Sequence, residues 1–111
     1  MGMDIYFQAF DVTDAPLGKR QELRCREVYH AVNDWCEETA KPKRETPENG
    51  EHVSFNAAQW AQVAPSISRA ISRQDQDLSG ASQAEADALG AEWLELIWPD
   101  GAHRVEYWYT V

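Results

Sequence analysis

Residues 92–110 constrain the fold of this chain more than any other stretch. They read Glu-Trp-Leu-Glu-Leu-Ile-Trp-Pro-Asp-Gly-Ala-His-Arg-Val-Glu-Tyr-Trp-Tyr-Thr. Two aromatic-rich runs flank a Pro-Asp-Gly turn, which predicts a β-hairpin over roughly 92–98 and 103–110. A loop of Pro99 to Ala102 pairs Trp98 with His103, Leu96 with Val105 and Leu94 with Tyr107 on one apolar face. The other face then carries Trp93 opposite Trp108, Glu95 opposite Glu106 and Ile97 opposite Arg104. A loop one residue shorter mixes the two faces, and burial of either face disfavours that slip.

The remaining elements follow from periodicity and capping signals. Asp4 to Phe10 is rich in aromatic and β-branched residues, a strand pattern with no plainly polar face, and so a candidate for a central strand covered on both sides. Thr13-Asp14-Ala15-Pro16 reads as a helix start, with the helix running to about Glu38. Its apolar stripe is Leu17, Cys25, Val28, Tyr29, Val32, Trp35 and Cys36. The charges oppose the helix dipole: Lys19 and Arg20 sit near the start, Glu37 and Glu38 near the end. Thr39 to His52 reads as a loop, and Val53 to Phe55 as a short strand or the approach to a helix. Asn56 caps a second helix to about Arg73, with Pro65 on its outward side as an expected kink or restart. Gln74 to Ala81 reads as a polar loop. Ser82-Gln-Ala-Glu85 is a capping box opening a short helix that Gly90 closes.

These elements predict one α+β domain over residues 1–111. A small, mostly antiparallel sheet, made of the N-terminal strand plus the C-terminal hairpin, packs against two longer helices and one short helix. A wholly helical domain is the alternative, and it requires Glu92 to Trp98 to continue the helix through Gly90. A chain of 111 residues is long enough for a core of its own. No run approaches the length of a membrane span, and no secretory leader or myristoylation motif is read at the N-terminus, where Tyr6 replaces the required Ser or Thr. Cys25 and Cys36 on one helix lie about 16 Å apart along its axis, beyond the reach of a disulfide. Free buried thiols fit a reducing cytoplasm, the expected location.

Charge narrows the function classes. The net charge is −9. Between Arg73 and Arg104 the only charged residues are Asp75, Asp77, Glu85, Asp87, Glu92, Glu95 and Asp100. Such a surface repels nucleic acid and anionic lipid and attracts basic proteins. The Tyr107-Trp108-Tyr109 run resembles base-stacking sheets, but Glu106 and the acidic surroundings argue against that use. No metal spacing, phosphate loop or nucleophile elbow is present, so no metal or cofactor is expected. His30 beside Asp34 reads as an exposed helix pair rather than an oriented base, and His52 and His103 fall at loop or strand ends. Lys41, Lys43 and Arg44 read as a solvated turn.

The expected function is therefore a non-catalytic acidic protein-binding module of inhibitor or immunity type, acting on a basic, nuclease-like or nucleic-acid-handling partner. The expected contact residues are Trp93, Glu95, Arg104, Glu106, Trp108, Asp75, Asp77 and Asp87. Two opposed carboxylates, Glu95 and Glu106, are unfavourable alone, and a basic group of the partner would relieve them. The alternatives are a phage-type anti-defence protein mimicking nucleic acid, a homo-oligomeric assembly protein, and a small enzyme with an unrecognised site.

Overall fold

Alternation along the first strand, β1 (Asp4–Phe10), sets the layers of the fold. Ile5, Phe7 and Ala9 are buried, whereas Asp4, Tyr6, Gln8 and Phe10 are only partly covered. The strand is thus one-sided rather than covered on both faces. The computed structural model describes residues 3–46 and 50–111. After β1 come β2 (Pro16–Leu23), α1 (Arg26–Thr39), β3 (Arg44–Thr46), β4 (Gly50–Asn56), α2 (Ala57–Ser79), α3 (Gln83–Ile97) and β5 (Arg104–Thr110). The strands form one antiparallel sheet in the order β2-β1-β5-β4-β3. The expected α+β class holds, with an antiparallel sheet against three helices.

The helices cover one face. Inward residues of the sheet (Phe7, Val53, Phe55, Val105, Tyr107) share a core with Val28, Val32 and Trp35 of α1, Trp60, Val63 and Ile67 of α2, and Ile97 of α3. Aromatic contacts lock the layers, with Phe55 against both Trp35 and Trp60, and Phe7 against Trp60.

The long first helix is replaced by β2 and a shorter α1. Asp11 explains the difference, because its Oδ1 accepts from the Thr13 and Ala15 backbone N–H groups at 2.8 and 3.1 Å. Asp14 takes a left-handed φ of 70°, so the segment read as a helix start is the β1–β2 turn. Lys19 and Arg20 then lie on an edge strand, which removes the conflict with the dipole at the helix start. Helix α1 begins after Cys25 with Glu27 in its first turn, and Ala40 ends it in the left-handed conformation. The expected loop over 39–52 contains β3 and the start of β4, and its Pro47-Glu48-Asn49 portion lies outside the described residues.

Helix α2 starts as expected, with Asn56 and Gln59 exchanging a reciprocal capping box. It continues past Arg73 to Ser79, unbroken by the exposed Pro65, and Gly80 terminates it at φ 65°. The region read as a polar loop is its last two turns.

The C-terminal hairpin does not form. Helix α3 passes through Gly90 and ends at Ile97, so it is not a short helix closed at that glycine. Gly90 instead lets α2 and α3 meet, since a Cβ there would lie 2.7 Å from the Ser68 carbonyl oxygen. Ala86, Gly90, Trp93 and Ile97 recur at helical spacing, a period that fits this segment as well as alternation does. The Pro-Asp-Gly turn is real, with Ala102 N–H donating to Pro99 O at 3.1 Å, but it joins a helix to a strand. Strand β5 then enters the middle of the sheet, between β1 and β4. Continuation of the helix through Gly90 was the condition of the wholly helical alternative, which the sheet excludes.

Candidate functional site

Loss of the hairpin divides the eight expected contact residues between two surfaces. Arg104, Glu106 and Trp108 lie on the sheet face opposite the helices, while Asp75, Asp77, Asp87, Trp93 and Glu95 lie on α2 and α3. Glu95 does not face Glu106. The cross-strand neighbours of Glu106 are Gln8 and Ser54. Ile97 is core, 1% exposed.

On the open sheet face, register places Tyr6, Trp108 and His52 side by side on β1, β5 and β4. Their rings stack in sequence, with centroids 5.6 Å apart for Tyr6–Trp108 and 5.5 Å for His52–Trp108. The Arg20 guanidinium caps the row, 4.8 Å from the Tyr6 ring centroid. Below this ladder lies Glu106, a carboxylate only 8% exposed. It accepts from His52 Nε2 at 2.9 Å and Arg104 Nε at 3.1 Å, and Arg44 stands 3.7 Å away. Arg104 also pairs with Asp14 and lies over Phe10. The chain itself therefore meets the demand of Glu106 for cations, leaving it no deficit for a partner to relieve. Arg44 belongs to this network, and Lys43 pairs with Glu51 at 3.1 Å and donates to Asn33, so the basic cluster is not a merely solvated turn.

On the helical side, the acid-only stretch is mounted on regular structure. Asp75 and Asp77 occupy the last turns of α2, and Glu85, Asp87, Glu92 and Glu95 occupy α3. Ser82 caps α3, its hydroxyl accepting the Glu85 N–H at 3.2 Å and donating to Glu85 Oε1 at 3.1 Å. Glu85, Ala88, Glu92, Glu95 and Leu96 are all exposed along this helix. Asp87 has a structural role, accepting from Ser72 Oγ at 2.8 Å and from Gln83 Nε2 at 2.7 Å.

Two of the expected residues meet there. Trp93 and Asp75 line one cleft of about 250 Å³, together with Leu23, Cys25, Ile71, Leu78 and Leu89. Trp93 is half-buried and packs against the core from its rim. Burial pushes the Cys25 thiol above its ordinary range, and its Sγ donates to Ala70 O at 3.7 Å, so it serves as apolar floor rather than nucleophile. Arg24 at the mouth is held by Asp4, Nε to Oδ1 2.7 Å.

Sequence reasoning places His52 at a loop end, yet it stands within β4 at one end of the ring ladder. Alternation in His52-Val53-Ser54-Phe55 is the signal that points His52 outward with Ser54. His30 is exposed on α1 and stacks edgewise on Tyr29, with no hydrogen bond to Asp34 among the described residues. The His103 N–H donates to Phe10 O at 2.7 Å. No group of three His, Cys, Asp or Glu side chains suited to a metal ion occurs among the described residues, and no helix there is long and apolar enough to cross a membrane. Comparison with known proteins finds no matching family model, curated protein or solved structure.

Proposed function

We propose that this chain is a non-catalytic acidic protein-binding module of inhibitor or immunity type, neutralising a basic partner that is itself a nuclease or handles nucleic acid. One observation carries the reading: six of the seven carboxylates between Arg73 and Arg104 stand on two packed helices, with no lysine or arginine among them. Acids fixed on a helical scaffold raise the encounter rate with a cationic surface, and an aromatic rim beside them slows release. The open sheet face is a weaker candidate for a basic partner, since Glu106 is already paired with Arg104 and Arg44 and hydrogen-bonded to His52.

The test is association with a panel of small basic nucleases, followed by biolayer interferometry from low to physiological salt. The expected binder loses association rate as salt rises, and loses it again in the Glu85→Gln/Glu92→Gln/Glu95→Gln triple variant. A panel without any salt-sensitive binder refutes the reading. The same mounting of acids on helices supports a second reading, in which the carboxylates stand where phosphates of a nucleic acid would bind. Competition separates the two: DNA or RNA displaces a mimic from its partner, and leaves an inhibitor bound to a remote surface in place.

A further inference from the structure

We propose that the cleft between α2, α3 and the end of β2 receives an apolar side chain of the partner flanked by lysine or arginine, an inference that rests on the basic-partner reading above. The floor is apolar: Leu23, Cys25 and Ile71 are all at least nine-tenths buried. Leu89 and Trp93 of α3 form one wall, and Leu78 of α2 stands at the rim with 76% of its surface exposed. An exposed leucine beside a half-buried tryptophan is an arrangement that gains from a partner group which covers both. The volume, about 250 Å³, is below that of typical sites for drug-sized ligands and suits one side chain or two.

Charge at the mouth decides what accompanies that side chain. Among the described residues Arg24 is the one cation lining the cleft, and Asp4 holds it at 2.7 Å. Glu22 adds to the negative potential acting on Arg24. Asp75 lines the cleft without a hydrogen-bond or ion-pair partner among the described residues, and Asp77 is exposed one residue before Leu78. The mouth is therefore net negative beside an apolar floor. A cation next to an apolar anchor matches both features, whereas an acidic or wholly apolar segment matches only one or neither.

Two fluorescein-labelled pentapeptides, Lys-Lys-Leu-Lys-Lys and Lys-Lys-Ser-Lys-Lys, carry the same charge and differ only in the anchor. Fluorescence anisotropy at low salt is expected to show the leucine peptide binding roughly tenfold tighter. Leu78→Ser, a surface change that leaves the core intact, is expected to reduce that preference severalfold, and Asp75→Asn to weaken both peptides. The assigned Trp93 indole N–H resonance is expected to shift with the leucine peptide and not with the serine peptide. Equal, salt-sensitive affinity for the two peptides overturns the cleft inference and leaves the acidic-module reading standing. A leucine preference that Leu78→Ser does not reduce, with a stationary Trp93 resonance, also overturns it by placing the anchor elsewhere. If neither peptide binds at low salt, both the cleft inference and the basic-partner reading fall.

Discussion

Replacing Gly90 by alanine tests the close approach of α2 and α3. An alanine Cβ would lie 2.6 Å from Ser68 Oγ and 2.7 Å from Ser68 O. The hydroxyl can rotate, but the carbonyl belongs to the α2 backbone. To restore an ordinary 3.4 Å contact with it, the helices must separate by about 0.7 Å. Overpacking of this kind costs about 1–3 kcal/mol. Alanine in a helix interior regains about 1 kcal/mol over glycine. The net expectation is a loss of up to about 2 kcal/mol, read as a lower urea midpoint in circular dichroism at unchanged slope, with Tm falling about 4 °C per kcal/mol. Adding Ser68→Ala removes the hydroxyl and leaves the carbonyl, so the double variant stays less stable than Ser68→Ala alone. A Gly90→Ala protein more stable than the parent by the full helix-propensity gain of about 1 kcal/mol would refute the close crossing of α2 and α3.

The remaining expectations concern stability. Pro65→Ala restores an N–H at an exposed position inside the continuous α2 and is expected to raise stability by about 1–3 kcal/mol in the same urea assay. Glu106→Ala leaves His52 and Arg104 without their shared acceptor and is expected to lower stability by about 2–4 kcal/mol and to change Trp108 emission, the indole being stacked on His52. Burial raises the thiols of Cys25 and Cys36 above 9.0 and the phenols of Tyr107 and Tyr109 above 10.0, Tyr109 to about 12. The folded chain keeps these protons after the unfolded chain has released them. Stability is therefore fully present below about pH 9 and is lost from there through pH 12, by up to about 1.4 kcal/mol per pH unit for each group titrating, as urea midpoints across that range will show.

What could be read in the sequence was local. The strand over Asp4–Phe10, the helical stripe from Val28 to Cys36, the Asn56 and Ser82 caps and the strand over Arg104–Thr110 each carry their signal within a few residues. What could not be read depends on contacts between distant parts. Pro16–Leu23 is a mostly polar edge strand, and only its pairing with β1 distinguishes it from the first turns of a helix. Gly90 resembles a helix stop until Ser68 of α2 is placed beside it.

The same ambiguity governs what was legible of the site. In Trp93-Leu94-Glu95-Leu96-Ile97 the apolar residues satisfy a period of two nearly as well as 3.6, and the two periods point Trp93 in different directions. As a strand it stands beside Trp108, and Glu95 beside Glu106. As a helix, stabilised by burial of Ala86, Gly90 and Ile97 against α2 and the sheet, it turns Trp93 towards Asp75 and the cleft. It also frees both edges of β5, which β1 and β4 then occupy, bringing His52 and Gln8 rather than Glu95 to the flanks of Glu106. One choice of period thus moves Trp93 from the sheet to the helices and turns Glu106 from an unsatisfied charge into an internal anchor. The acids of α2 and α3 form no ion pair among the described residues, and it is there, rather than at Glu106, that the proposed basic partner would find uncompensated charge.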